Sequence, residues 1–228
     1  MRITAFIPAR GGSKGIPKKN LALLNGKPLI QYTIEAAKKS RYINDIFVSS
    51  DDSEIIGFCE SVGVSVPYRR PEELATDSSS IVDTLMHALD WMGKRKELPY
   101  VIMLLQPTSP LRTANNIDEA VELFVSDGAE SLISVHRMVE HPYECLKVAA
   151  GGWEYLVRPE KEAFRRQDYN EDFYYINGAI YIVKTDFFIR EKKFVLENRT
   201  KLYIMPPEKG VDVDDALGLK KAECYFGL

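Results

Sequence analysis

The 228-residue chain is poor in cysteine and in long apolar runs, and between Met1 and Ile34 it carries no acidic side chain at all. Cys59, Cys145 and Cys224 are scattered and form neither a CxxC pair nor a zinc spacing. A disulfide or zinc scaffold is thereby excluded, and the thiols are expected to be buried or idle in a reducing compartment. The longest apolar stretch, Val101 to Leu105, is far below the ~20 residues that cross a bilayer. MRITAFIPAR at the start has too short an apolar run for a secretory leader, so the expected location is the cytoplasm, with no membrane partner. His87, His136 and His141 have neither ligand nor triad spacing, which argues against a Ser–His–Asp nucleophile. A net charge of −3 argues against a broad basic face for nucleic acid. No internal repeat or low-complexity tract is visible.

What is present is an ordinary globular composition, 45% hydrophobic and 28% charged, enough to bury a core without covalent staples. We read residues 1–228 as a single domain. Ile3–Ala9, Asp45–Ser50, Val64–Arg69, Tyr100–Gln106 and Ser131–His136 read as strands. Between them lie helix-period segments, such as Leu29, Ile30, Thr33, Ile34 and Ala37, then Ile81, Leu85, Ala88, Leu89 and Met92, then Ile117, Ala120, Val121 and Phe124. Strand and helix in alternation predict a three-layer α/β/α sandwich around a mostly parallel sheet. The rhythm breaks after His136. Cys145–Val157 reads as a hairpin turned at Gly151 and Gly152, Arg158–Tyr175 is charged and aromatic, and the sheet resumes at Asn177–Val183. Roughly 137–176 is an excursion from the main domain. Lys201–Pro206 and a last helix follow.

Directly after the first strand stands PARGGSKGIPKKN, Pro8 to Asn20. Ligands of open α/β sheets bind beyond the carboxyl ends of the strands. Gly11, Gly12 and Gly15 let backbone N–H groups approach phosphate oxygens, Arg10 offers a planar fork, and Lys14 and Lys19 add point charges. Neither GxxxxGK[ST] nor GxGxxG is present. The plainer reading is a solvated basic loop. Within an acidic protein, this local cationic stretch suggests a small anionic ligand.

Other constellations are less specific. If VDVDD (Val211–Asp215) is extended, Asp212 and Asp214 lie on one side and form a hard-oxygen pair suited to Mg²⁺; an acidic strand end or a helix N-cap, with Asp215 as the cap, explains the same residues. In LLQPTSPLRT the strand ends at Gln106, whose amide both donates and accepts, and Arg112 is as easily structural. In YRRPEELATDSSS, Arg70 is fixed ahead of Pro71, and capping of the next helix explains Ser78–Ser80. Arg165 and Arg166 suit a carboxylate and the neighbouring aromatics a sugar pocket; a solvated charge run with dimer packing reads the segment equally well.

The basic segment closely resembles the signature of CMP-sialic acid synthetases, the acylneuraminate cytidylyltransferases. YRRPEELATD, LLQPTSPLRT, INGAIYIV and VDVDD agree with that family in the same order, so the resemblance spans nearly the whole chain. It implies a nucleotide-diphospho-sugar transferase-like fold with a mixed, mostly parallel sheet. It also implies that the excursion at 137–176 serves dimerisation and the sugar site. The implied partners are CTP, a nonulosonic (sialic-acid-like) acid and a second copy in a homodimer, and the implied cofactor is Mg²⁺ on Asp212 and Asp214. Nucleotide contacts fall on Ala9, Arg10, Gly11, Gly12, Ser13, Lys14, Lys19, Asn20, Arg70 and Ser80. Sugar contacts fall on Gln106, Arg165, Arg166, Asn177 and Tyr181. Arg10, Lys19 and Asp212 are the residues implied for the chemistry itself, transfer of CMP to the anomeric hydroxyl with release of pyrophosphate. Some sialic acid enzymes carry an arginine just before NGAIY. Tyr175 and Ile176 stand there here, which leaves legionaminic, pseudaminic or 3-deoxy-octulosonic acid open, as well as a CTP-binding homologue without activity.

Overall fold

A computed structural model describes residues 1–158 and 171–226. The chain enters through β1 (Ile3–Pro8) and a small hairpin, β2 (Leu23–Leu24) with β3 (Lys27–Pro28). Then come α1 (Leu29–Lys39), β4 (Asp45–Ser49), α2 (Ser53–Ser61), α3 (Ile81–Lys94), β5 (Val101–Leu104), α4 (Ala114–Ser126) and β6 (Ser131–Arg137). A second hairpin, β7 (Leu146–Ala149) with β8 (Gly152–Tyr155), precedes β9 (Tyr174–Lys184), α5 (Thr185–Glu191), β10 (Thr200–Ile204) and α6 (Ala216–Phe226). The main sheet runs β10-β6-β9-β5-β1-β4. Every neighbouring pair is parallel except the two made by β9, which is antiparallel to β5 and to β6.

The helices start where side chains satisfy their free N–H groups. Asp52 accepts from Glu54 and Ile55 ahead of α2, Ser80 accepts from Val82 ahead of α3, and Thr113 and Asn116 close a reciprocal box ahead of α4. Alternation along the central strands then feeds two cores. Ala5, Ile7, Val101, Met103 and Ile182 pack with Ile30 and Ile34 of α1, Ile55 of α2 and Phe124 of α4. Phe6, Ile102, Leu104 and Val183 pack on the other face with Leu85 and Leu89 of α3 and Phe187 and Phe188 of α5. Each fully buried side chain of this size stabilises by roughly 1.5–3 kcal/mol, so the sheet is anchored from both faces and forms three layers.

Two expectations need correction. Val64–Arg69 is not a strand. Val64, Val66 and Tyr68 are buried in alternation, but the segment meets edge strand β4 at one bridge only, Ser50 with Arg69, and Pro67 has no N–H to extend a ladder. Val211–Asp215 is not a strand either; it is an irregular link between a 3-10 turn, Pro207–Gly210, and α6. α5 and the β2–β3 hairpin carry no expectation from the sequence. The excursion begins where β6 and β9 part, beyond the pair Arg137 and Tyr174. Its base is an aromatic cluster of His141, Tyr143 and Phe173, and all eight residues of β7 and β8 are exposed. Cys59 is buried, which pushes its thiol up to about 11 and leaves it unreactive near neutrality.

Candidate active site

The basic loop begins where β1 leaves the sheet. Ala9 is buried and donates its N–H to the Ser49 carbonyl at 2.9 Å, tying the loop to β4. Asn20 Nδ2 donates to the Arg10 carbonyl at 2.9 Å and folds the loop back on itself. Gly11 N–H donates to Asp51 Oδ1 at 3.0 Å, so that donor is already engaged within the protein. Lys18, in a left-handed conformation, is spent on Glu54 at 2.5 and 2.7 Å. Gly15 is required by a close approach: a Cβ there would stand 2.1 Å from the Asp214 carbonyl oxygen. The loop therefore lies directly against the acidic link that precedes α6, some two hundred residues away in sequence.

A cleft of about 270 Å³ opens beside the loop, at the carboxyl ends of β1 and β5. Its walls include Arg10, Gly12, Ser13, Lys19, Asn20, Arg70, Asp77, Gln106 and Thr108. Arg10 Nη2 and Lys14 Nζ reach across to Asp77, at 2.8 and 3.2 Å. The hydrogen bond from Lys14 holds the Asp77 carboxyl below its ordinary range, with Arg10 adding to it, against an opposing effect of burial. Lys19 Nζ lies 2.7 Å from Asp214 Oδ1; the lysine side chain is 16% exposed and the carboxylate 75%. Asp212 sits beside Asp214. Crowding by surrounding protein pushes its carboxyl up, the charge of Asp214 adds to this, and the Thr108 hydroxyl and Lys19 work against it. Neither aspartate lines that cleft; the pair faces a neighbouring cavity of about 500 Å³, with His136, Gly210 and Lys221 on its walls. The Thr108 carbonyl accepts from Val213 N–H at 2.8 Å, so the turn after β5 and the acidic link hold each other.

The other sequence candidates have distinct placements. Arg70 is buried and committed to Ser49, with Nε 3.0 Å from its hydroxyl and Nη2 2.6 Å from its carbonyl; burial pushes its guanidinium down, yet it still forms cleft wall. Ser80 caps α3 and does not line the cleft. Asn177 is buried, and its Oδ1 accepts from Ser134 and from Ala179 N–H. Tyr181 packs against Phe194, and burial pushes its hydroxyl pKa up, with the Asp212 charge adding to the shift. Gln106 lines the cleft and rests on Gly178. Arg165 and Arg166 lie outside the described residues. Sequence reasoning missed Asp77 and Thr108. Nothing in ATD or PTS marks either residue, because each acts through partners distant in the chain.

No group of three or more metal-binding side chains exists among the described residues. The adjacent carboxylates of Asp212 and Asp214 nevertheless fit a hard divalent cation of the Mg²⁺ kind, which takes one or two protein carboxylates and completes its shell with phosphate and water. No described helix is long and apolar enough to cross a membrane.

Sheet, layers and cleft define a nucleotide-diphospho-sugar transferase-like α/β fold. Over the full chain the structure resembles that of a CMP:2-keto-3-deoxy-manno-octonic acid synthetase complexed with CTP, with a TM-score of 0.71 at 16% identity, covering 100% of this chain and 99% of the other. The family model for cytidylyltransferases matches residues 4–218, and the chain belongs to that family. It is 38% identical over 216 residues to an N-acylneuraminate cytidylyltransferase of Streptococcus agalactiae, covering 94% of this chain and 51% of that protein. This chain thus spans about half the length of the streptococcal relative. It is also 38% identical over 215 residues to a CMP-N,N'-diacetyllegionaminic acid synthase of Legionella pneumophila, covering 94% of this chain and 91% of that protein.

Proposed function

We propose that this protein transfers CMP from CTP to the anomeric hydroxyl of a nonulosonic acid and releases pyrophosphate. The observation that carries the reading is the meeting of the cationic glycine loop with the carboxylate pair, through Lys19 and Asp214 and through Gly15 against the Asp214 backbone. Membership of the cytidylyltransferase family supports CTP as the donor. The names of relatives at 38% identity support a sialic-acid-like acceptor.

Arg10, Lys14 and Lys19 neutralise the triphosphate, with Arg10 and Lys14 exchanging Asp77 for phosphate oxygens as the nucleotide enters. These ion pairs are exposed and hold Asp77 only weakly, so their exchange is easy. Asp212 and Asp214 hold Mg²⁺, which supplies charge stabilisation at the reacting phosphate. Gln106 and Tyr181 orient the acid, and Asn177 shapes the backbone beneath it. The rate gain comes from alignment of hydroxyl and α-phosphate and from fixed charge around them. The protein acts as a homodimer in the cytoplasm, joined through the excursion at 137–176, where Val148, Trp153, Tyr155 and Leu156 are exposed.

The test is pyrophosphate release with each nucleoside triphosphate against N-acetylneuraminic, N,N'-diacetyllegionaminic, pseudaminic and 3-deoxy-octulosonic acids. The legionaminic acid comes first, because that relative matches this chain over nearly its own full length. Release with CTP and a nine-carbon acid is expected. CTP binding without release for any acid would mean a nucleotide-binding homologue instead.

A further inference from the structure

The turn after β5 holds a charge that the proposed reaction leaves unused. Arg112 is 3% exposed, and its described partners are neutral. Nη1 donates to the Ala179 carbonyl at 2.7 Å and to the Gln106 carbonyl at 3.2 Å, Nη2 donates to Thr33 Oγ1 at 2.6 Å, and Nε has no partner among the described residues. Burial pushes the guanidinium down to about 9, still charged at neutral pH. A buried cation without a counter-ion is costly and persists only where its hydrogen bonds do something an apolar residue would not.

The bond to Ala179 reaches an irregularity in β9. Between the pairs Ile133–Tyr181 and Val135–Ile176, residues 177–180 of β9 stand opposite Ser134 alone. Bulging frees backbone groups that must find partners in the interior. Ile180 N–H donates to Ser134 Oγ at 2.8 Å, Ala179 N–H donates to Asn177 Oδ1 at 3.1 Å, and the Ala179 carbonyl accepts from Arg112. At the crest is Gly178, with φ +74°, where a Cβ would lie 3.3 Å from Gln106 Nε2. Arg112 thus grips the Gln106 main chain from one side and the bulge that backs its side-chain amide from the other.

We propose that Arg112 is a positioning residue for the acceptor acid, fixing Gln106 between its own guanidinium and the β9 bulge. The inference rests on the cytidylyl-transfer reading. A lysine in its place donates from a single point and cannot hold two carbonyls and a hydroxyl together.

The experiment measures kcat and KM for both substrates, with CTP, Mg²⁺ and the best acid of the panel, on wild type, R112K, Q106A and R112K/Q106A. R112K and Q106A are expected each to raise the acid KM about tenfold and to leave the CTP KM within about twofold, with the double variant no worse than Q106A within about twofold. Should R112K fail to fold, T33V removes one acceptor without touching the arginine and is expected to raise the acid KM alone, by a smaller factor. Wild-type constants in R112K, equal loss for both substrates, or additive effects in the double variant overturn the inference. So does an unchanged acid KM in T33V where that variant is the one measured. A wild type that releases no pyrophosphate with any acid overturns the cytidylyl-transfer reading and this inference with it; an active wild type matched by R112K overturns the inference alone.

Discussion

Asp212 is exposed to solvent, yet its surroundings disfavour its ionised form. Crowding by protein and then the charge of Asp214 raise its carboxyl above the ordinary range. A group raised in the folded state stabilises below its unfolded value and loses that contribution as pH rises through the folded value. Near neutrality, without a cation, the ionised Asp212 therefore works against folding. Asp212→Asn is expected to melt at or above the wild-type temperature at pH 7 in the absence of Mg²⁺. It is also expected to lose the Mg²⁺-induced rise in Tm and about a hundredfold or more in turnover. A lower Tm with turnover retained would reject this account of the residue. Asp77 makes the complementary case. It occupies Arg10 and Lys14 where a phosphate is proposed to bind, so Asp77→Asn is expected to lower the CTP KM severalfold; a higher KM would show that Asp77 instead holds the two cations in place. Of these residues, Arg10, Lys19, Asp212 and Asp214 are legible in the sequence because their charge stands out in a short segment. Asp77 and Thr108 are not, because their roles come from partners brought near by the fold.

The elements show the same division. β1, β5, β6 and the main helices are legible from their periodicity, because burial on one or both faces leaves its mark along the chain. Val64–Arg69 shows the strand pattern without becoming one, since alternation reports burial while a ladder also needs a partner and free N–H groups. The bulge in β9 is invisible in NGAIY, because nothing local says that Ser134 will stand opposite four residues. Its integrity nevertheless depends on that one hydroxyl, which accepts from Ile180 N–H and donates to Asn177 at 2.6 Å. Ser134→Ala leaves a buried N–H unpaired, at a cost of about 1–3 kcal/mol. For a chain of this size, that corresponds to a fall in Tm of roughly 2–10 °C, measurable by calorimetry. A Tm within about 1 °C of wild type would mean that the Ile180 N–H finds another acceptor.

For the whole molecule, the decisive feature is convergence. The sheet brings the exit of its first strand, the exit of β5 and the link before the last helix to one edge, joining residues as distant as Lys19 and Asp214. Beyond the carboxyl end of β6, the β7–β8 hairpin exposes Trp153 to 61% and Val148 to 85%, an apolar surface that a second copy covers in the proposed dimer. Trp153→Asp is expected to convert the dimer to a monomer in light scattering; an unchanged mass would move the interface elsewhere. The claim beneath all of this is that one magnesium-bound triphosphate spans the loop and the carboxylate pair. Calorimetric titration of CTP with Mg²⁺ into wild type, K19A, D212N and the double variant tests it most directly. Each single change is predicted to cost about tenfold or more in affinity and the double change distinctly less than the product, because both residues serve the same ligand. Strictly multiplicative losses, or wild-type affinity in either single variant, would contradict it.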